Sequence, residues 1–268
     1  MINELLNIVL RKLVFKKRKP NLVLIGGFGS TSENLGDAIS FFEDFFVVKF
    51  INLPGMIQKQ TLPKYSMDTI VKHVQKQIDA LNIKRYILGS LSFGFAVCNQ
   101  LKLNEHCKGI LVMEPYADST YLKVPTYKKI FLRGLFWTIV KLNLVNFIWN
   151  TKLIEFGIRN QGAPDIFLTA IRQAQPRAFF EYGNVLVKFK SNKKFHNLPH
   201  VVVANEQDPI ADSAQLLKDL REKVDDVLYV PTKYQHFPEK FDKAFLKKLI
   251  DKKALEKMIP FFREKCGI

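Results

Sequence analysis

Short apolar runs alternate with amphipathic helical patterns through the first 114 residues of the chain. The runs end in, or are followed by, glycine or polar residues, as buried strands of a parallel sheet do; they are NLVLI (21–25), FVVKFI (46–51), RYILG (85–89) and GILVM (109–113). Apolar residues that repeat every three or four positions predict helices between them, at 32–46, 66–81 and 93–103. This alternation indicates a mostly parallel sheet with helices on both faces.

The alternation is interrupted between residues 115 and 197, where the pattern is helical and strongly aromatic. It resumes with HVVVANEQD (200–208), a helix over 213–223, the run DDVLYVP (225–231) and a basic amphipathic helix from Glu239 onward. A helical stretch of this length exceeds ordinary connections between strands. We therefore expect an α/β core of about six strands built from residues 21–114 and 198–268, with residues 115–197 inserted as a helical cap.

The apolar stretch 130–149 is long enough to raise the question of a membrane-spanning helix. Two charged residues and two asparagines fall inside it: Arg133, Lys141, Asn143 and Asn146. Charges within a bilayer are costly. The stretch is therefore predicted to form one or two helices of the cap.

The first twenty residues, MINELLNIVLRKLVFKKRKP, have a basic amphipathic pattern. Apolar residues at helical spacing precede a basic cluster at 16–19; the apolar positions are Ile2, Leu5, Leu6, Val9, Leu13 and Val14. The charges follow the apolar run and no small-residue cleavage site is present, so a signal peptide is not predicted. Two interpretations of this helix stay open: packing on the core, or lying on a membrane surface as an anchor.

The chain is strongly basic, with 41 Lys and Arg against 25 Asp and Glu and a net charge of +16. Such a surplus favours an anionic partner or simply covers the surface of a soluble enzyme. No basic stripe interleaved with aromatic residues stands out, so no nucleic-acid partner is expected. Three cysteines, Cys98, Cys107 and Cys266, form neither a disulfide framework nor a ligand spacing. We expect a cytoplasmic protein with free thiols, with weak peripheral association with an anionic membrane as the alternative.

The segment ILGSLSFGFAV (87–97) places two serines and two glycines where a strand passes into a helix. A nucleophilic serine on such a turn has a strained backbone, and its neighbours two positions away on either side must be small. Ser90 and Gly94 meet this requirement around Ser92, whereas Leu88 is too large for Ser90 to be the nucleophile. A polar turn without function is the alternative interpretation of this segment alone.

Three further features lie at the carboxyl ends of other predicted strands. The glycine-rich GGFG follows the first strand, Asp208 follows HVVVA, and His236 lies in the loop after VLYVP. Each feature has an ordinary explanation by itself, as a turn, a helix cap or a surface histidine. Their occurrence together with Ser92, in the order serine, aspartate, histidine, favours a catalytic site at one edge of the sheet.

These segments together resemble the α/β-hydrolase family. VLIGGFGST is similar to its HGFGS loop, FINLPGM to its DLPGHG stretch, ILGSLSFGFA to its nucleophile elbow, ANEQDPI to its GxxDPI loop and QHFPEKF to its GHFPxxE loop. The resemblance covers about residues 21–259 apart from the cap. Gly26, Asn52 and Gln235 stand where the family usually has histidine, aspartate and glycine, and none of these departures removes a proton-transfer group.

The resemblance implies Ser92 as the nucleophile, His236 as general base and acid, and Asp208 as the residue that orients the imidazole. It further implies an oxyanion hole formed by the backbone N–H groups of Phe28 and Phe93. Neither a metal nor a cofactor is expected. The predicted pocket for the substrate includes Gly27, Tyr116 and Phe237.

The expected function is cleavage of an ester, or a related acyl bond, in a lipophilic small molecule through an acyl-enzyme. Three alternatives stay open: an acyltransferase or a carbon–carbon bond hydrolase with the same triad, and a catalytically silent binding protein of the same fold. Haloalkane dehalogenases and epoxide hydrolases need a carboxylate nucleophile, so Ser92 argues against both.

Overall fold

The computed structural model describes residues 19–57, 60–159, 165–233, 236 and 242–268. The amphipathic helix and basic cluster predicted at the N-terminus fall almost wholly outside these ranges, as does the predicted pocket residue Phe237. All three residues of the predicted triad lie within them, as does the predicted core apart from residues 58–59, 234–235 and 237–241.

The described strands form one six-stranded sheet in the order β2-β1-β3-β4-β5-β6, and every neighbouring pair is parallel. Their bounds are β1 Asn21–Ile25, β2 Val47–Ile51, β3 Tyr86–Leu91, β4 Cys107–Met113, β5 His200–Ala204 and β6 Val227–Pro231. After β1 the chain forms β2 on one side of it, and β3 to β6 then follow on the other side. In open α/β sheets ligands bind where the strand order changes direction in this way, which here is the crevice between β1 and β3. The predicted α/β fold class is confirmed.

Eleven helices are found in the described residues, and six of them cover the sheet. These six are α1 Gly36–Glu43, α2 Met67–Ala80, α3 Phe93–Cys98, α9 Ser213–Lys223, α10 Lys243–Leu249 and α11 Lys252–Cys266. Alternate residues of each strand point to opposite faces. On β1, for example, Val23 and Ile25 join the core under α2, α3 and α9, whereas Leu22 and Leu24 join the core under α1, α10 and α11.

Five helices lie between β4 and β5, and we call them the inserted helices: α4 Thr126–Lys141, α5 Val145–Trp149, α6 Leu153–Arg159, α7 Asp165–Gln173 and α8 Pro176–Lys188. They share a small apolar core of their own around Trp149 and Phe180. The apolar stretch 130–149 is broken after Lys141, where Asn143 has a φ of 55°. No helix in the part of the chain that the structure describes combines the length and apolarity needed to cross a bilayer.

Several helix ends differ from the sequence-based prediction. The helix expected from Ser32 begins at Gly36, because Thr31 and Asn34 exchange side-chain and backbone hydrogen bonds in a separate turn before it. The helix expected over 93–103 ends at Cys98. The C-terminal helix is divided at Ile250, whose backbone pairs with Thr232 beyond β6, and Asp251 caps the helix that follows.

Candidate active site

Ser92 lies at a sharp turn between β3 and α3. Its backbone has φ 44° and ψ −117°, a conformation that residues with a side chain rarely adopt. Its N–H donates a hydrogen bond of 2.9 Å to the carbonyl of Met113 at the end of β4. The turn is thus held against the neighbouring strand, and the strained geometry that SLSFG predicts occurs at Ser92.

Ser90 and Gly27 provide the small neighbours that this turn requires. Ser90 is fully buried on β3, and its hydroxyl has no hydrogen-bond partner among the described residues. Gly27 follows β1 and packs directly on the turn, since a Cβ there would lie 3.0 Å from the carbonyl oxygen of Leu91 and 3.4 Å from Ser92 Cβ. A larger residue at 27 would push the loop after β1 away from Ser92.

A chain of hydrogen bonds joins Ser92, His236 and Asp208. Ser92 Oγ lies 2.9 Å from His236 Nε2, and His236 Nδ1 lies 2.6 Å from Asp208 Oδ2. An ionised carboxylate can only accept, so Nδ1 carries a proton and Nε2 presents its lone pair to the serine hydroxyl. Asp208 and His236 are both buried. The three residues predicted from separate segments are therefore brought together.

The surroundings of Asp208 favour its ionised form. Burial opposes ionisation and is the largest single influence, but the hydrogen bond and charge of His236, with the N–H groups of Ile210 and Ala211, outweigh it and lower the pKa of Asp208. Those two N–H groups donate to Oδ1 at 2.7 and 3.1 Å. The helix after this loop is capped by Asp212, not Asp208. Oδ1 of Asp208 is thus held by the backbone of its own loop, while Oδ2 contacts the imidazole.

A second buried carboxyl, Glu114, lies beside this chain and was not among the residues predicted for the site. It directly follows β4 with a φ of 44°, and the hydroxyl of Thr232 donates to its Oε1 at 3.3 Å. Burial, and then the negative charge of Asp208, raise the pKa of Glu114 well above its ordinary value. The protonated, neutral form of Glu114 is therefore favoured, since two adjacent carboxylates do not both ionise readily. The sequence feature that could have identified Glu114 as a site residue is its position at the carboxyl end of a buried strand.

Glu114, Asp208 and His236 also have the composition of a metal site, with one donor atom from each lying within 4.8 Å of the others. Both ring nitrogens of His236 are engaged, however, one by Asp208 and one by Ser92. A metal would have to displace one of these bonds and would need both carboxyls ionised. The arrangement fits proton transfer better than metal ligation.

The backbone N–H groups of Phe28 and Phe93 donate no hydrogen bond within the part of the chain that the structure describes. Phe93 directly follows Ser92, and Phe28 directly follows the glycine that packs on the turn. Unpaired N–H groups on both sides of a hydroxyl can stabilise negative charge that develops on a substrate oxygen. This is the arrangement expected of the predicted oxyanion hole.

A cavity of ≈ 280 Å³ opens over Ser92 and His236. Its wall is mainly apolar, with Leu35, Leu91, Met113 and Ile210 from the α/β core. The inserted helices contribute seven further residues: Leu132, Phe136, Phe167, Phe179, Gly183, Leu186 and Val187. Of the predicted pocket residues, Tyr116 lines the cavity and its hydroxyl donates to the carbonyl of Leu186. Gly27 supports the turn instead and is not part of the described wall.

No protein-family model and no curated protein matches the chain by sequence. Solved structures do match. An epoxide hydrolase from Bacillus megaterium in complex with an inhibitor has a TM-score of 0.64 at 15% identity, over 92% of this chain and 95% of that one. A thermophilic esterase from Thermogutta terrifontis has a TM-score of 0.63 at 15% identity, over 93% and 91%. An enol-lactonase from Burkholderia xenovorans LB400 has a TM-score of 0.61 at 12% identity, over 95% and 94%.

These matches cover nearly the whole of each chain, and they show that the protein has the α/β-hydrolase fold. The resemblance noted from the sequence motifs is confirmed at the level of the fold. At such low identity the similarity does not indicate a substrate, and the residues of the site are the evidence for the reaction.

Proposed function

We propose that the protein is a serine hydrolase that cleaves an ester, or a related acyl bond, of a lipophilic small molecule. The observation that carries the proposal is the hydrogen-bonded chain from Ser92 through His236 to Asp208 beneath an apolar cavity. Each member has the contact that its role requires: a hydroxyl facing an imidazole lone pair, and a carboxylate fixing the other ring nitrogen.

The reaction would proceed in two acyl transfers. Ser92 Oγ attacks the carbonyl carbon while its proton passes to His236 Nε2, and the oxyanion accepts hydrogen bonds from the N–H groups of Phe28 and Phe93. The carbon–oxygen bond to the alcohol then breaks, and His236 gives its proton to the departing alcohol. Water attacks the resulting acyl-enzyme with the same proton route, which releases the carboxylic acid and restores Ser92.

The inserted helices are proposed to act as a cap that selects the acyl chain. They supply Leu132, Phe136 and Phe167 to one side of the cavity, opposite the core. A cavity with an apolar wall stabilises a medium-length acyl chain by about 0.8 kcal/mol for each methylene that it buries. A charged acyl group would lose its hydration there without a partner. The preferred substrates are therefore uncharged, lipophilic esters.

Acyl transfer to an alcohol or amine, and carbon–carbon bond hydrolysis, would use the same three side chains and are the alternatives to ester hydrolysis. Epoxide opening on this fold needs a carboxylate nucleophile, which Ser92 does not provide. A catalytically silent binding protein is the remaining alternative. It is disfavoured because Ser92 and His236 form the hydrogen bond that proton transfer from the serine requires.

A series of p-nitrophenyl esters from acetate to octanoate tests the proposal. We expect hydrolysis that rises from acetate to the medium chains and falls by at least about 10³-fold in Ser92→Ala. Ser90→Ala is the matched control, because it removes a hydroxyl two residues away that lies outside the cavity. A strong preference for acetate would contradict the proposed acyl pocket, and unchanged hydrolysis by Ser92→Ala would contradict the nucleophile.

A further inference from the structure

The outer face of α4 is unusually apolar for a surface helix. Tyr127, Phe131 and Trp137 are 68%, 67% and 58% exposed. We use the term outer face of α4 for six exposed residues on the helix and just after it: Tyr127, Ile130, Phe131, Leu135, Trp137 and Leu142. Single exposed apolar residues are ordinary, but a concentration of this size on one short element indicates a binding surface.

The helix geometry separates this face from the inward one. At 3.6 residues per turn the six residues span an arc of roughly 160°. The opposite side of the same helix carries Leu132 and Phe136, which line the cavity, and Ile139, which is buried in the core of the inserted helices. Apolar residues therefore occur on both sides of the helix, a pattern found where the second face meets another apolar medium.

The charged residues of the chain segment that contains α4 are all basic. Between Asp118 and Glu155 the sequence has no acidic residue and six basic ones: Lys123, Lys128, Lys129, Arg133, Lys141 and Lys152. On the helix itself, Lys128 and Arg133 flank the two edges of the outer face, and Lys141 falls within its arc near the C-terminal end; all three are exposed. Aliphatic and aromatic side chains bordered by long cationic ones are typical of helices that lie in the interface of a bilayer, where the cations reach the phosphates.

We propose that the outer face of α4 docks on an anionic lipid bilayer, with its aromatic side chains among the acyl chains and its cations on the headgroups. A second copy of the chain fits this face less well, because a two-fold contact would bring Lys128 and Arg133 against the same cations without an acidic partner. Nucleic acid also fits less well, because the aliphatic side chains of Ile130, Leu135 and Leu142 lie among the aromatic ones and would be left against a charged backbone.

Docking in this orientation would bring the cavity close to the lipid. The two sides of α4 are one helix diameter apart, about 10 Å, and the inward side already forms the wall over Ser92. A lipophilic substrate dissolved in the bilayer would then need to travel only a short distance to the site. The docking itself does not depend on turnover and can be measured independently of the proposed hydrolysis.

The two tryptophans of the chain make a direct test possible. Trp137 lies on the outer face of α4, whereas Trp149 is only 8% exposed. The full-length protein is titrated with phosphatidylcholine vesicles, with and without 30% phosphatidylserine, and its tryptophan emission is recorded. We expect a blue shift with the anionic vesicles, quenching by bromine-labelled lipids, and reversal in 0.5 M salt. Trp137→Phe should still sediment with the vesicles but show no shift.

Charge reversal on two elements provides matched variants. Lys128→Glu with Arg133→Glu should lower the vesicle partition coefficient roughly tenfold or more. Lys253→Glu with Lys257→Glu makes the same change in net charge on exposed positions of α11 and should lower it much less. Equal losses in the two variants would show attraction by net charge alone and would overturn the proposal.

Two other results would also overturn it. The first is sedimentation with vesicles while the emission of Trp137 and its quenching stay unchanged, which would assign binding to another surface. The second is a lipid-free dimer, detected by analytical ultracentrifugation, that Phe131→Glu converts to monomer without any vesicle binding by the parent protein. That result would assign the outer face of α4 to a contact between copies.

Discussion

Gly94, two residues after the candidate nucleophile, lies directly against the carbonyl of Gly26 in the loop after β1. A Cβ at position 94 would lie 2.7 Å from that oxygen and 2.9 Å from the carbonyl oxygen of Ile25. Both neighbours are backbone atoms, so neither can rotate away as a side chain could. The start of α3 and the loop that carries Phe28 are thus in contact, and their separation sets the width of the proposed oxyanion hole.

Gly94→Ala should therefore destabilise the protein by about 1–3 kcal/mol, as overpacking does in a close-packed core. It should also lower ester hydrolysis, because the two N–H donors would move apart. Urea unfolding measures the first effect and initial rates the second. Gly134→Ala is the matched control: its added Cβ meets nothing within 4 Å, so it should stabilise α4 by up to about 1 kcal/mol. A change of the same sign in the free energy of unfolding of both variants would contradict this account.

Glu114 should make the stability of the protein depend on pH. Burial and the adjacent Asp208 raise its pKa in the native state, so the native protein keeps a proton that the unfolded chain releases above about pH 4.5. Rising pH then favours the unfolded state until the raised native pKa is reached. Glu114→Gln has no such proton, and its stability relative to wild type should increase by up to about 1.4 kcal/mol per pH unit across this window.

Urea unfolding of both proteins at pH 5.5, 6.5 and 7.5 measures that difference. Glu222→Gln is the control, because Glu222 is exposed on α9. The difference in free energy of unfolding between this variant and wild type should be the same at the three pH values. A constant difference for Glu114→Gln as well would mean that Glu114 is ionised in the native protein, and would contradict the neutral acid beside Asp208.

His236 and Asp208 should contribute unequally to acyl-enzyme formation. His236→Ala removes the proton acceptor and should slow acylation by about three to four orders of magnitude. Asp208→Ala leaves the imidazole in place but free to turn, so its loss should be smaller than that of Ser92→Ala. Single-turnover kinetics with a p-nitrophenyl ester measure each rate. Asp212→Ala, which removes only the cap of α9, should leave the rate near that of wild type, and full activity of Asp208→Ala would require another acid.

The four central strands were predictable because they are buried on both faces and therefore appear as continuous apolar runs, whereas the edge strands β2 and β6 are only partly buried. The strand β1 coincides with NLVLI, and β3 extends two residues beyond the predicted end at Gly89, to Leu91. The residues of the candidate triad could be predicted for the same reason, since parallel strands bring their carboxyl ends to one edge. The distances between them depend on loop geometry that apolar periodicity does not encode.

Other features follow from tertiary contacts and could not be predicted in that way. The early end of α3 at Cys98 and the division of the C-terminal helix at Ile250 break patterns that remain helical in sequence. The pKa of Glu114 is raised by burial and by the charge of Asp208, 94 residues later in the chain, and the local sequence shows neither. In the aromatic stretch 130–149, Trp137 and Phe147 face outward. Periodicity shows that a helix has an apolar side but not which medium that side meets.

The most direct measurement of the central claim is covalent labelling by a fluorophosphonate probe, with the modified residue identified by mass spectrometry. The attacking serine oxygen forms a bond to the phosphorus of the probe, and fluoride leaves. Labelling therefore reports a nucleophile that an adjacent base has activated. We expect one label on Ser92, full labelling of correctly folded Ser90→Ala and none of Ser92→Ala. Labelling that persists in Ser92→Ala, or an unlabelled wild-type protein that is folded, would contradict the assignment of Ser92 as the nucleophile.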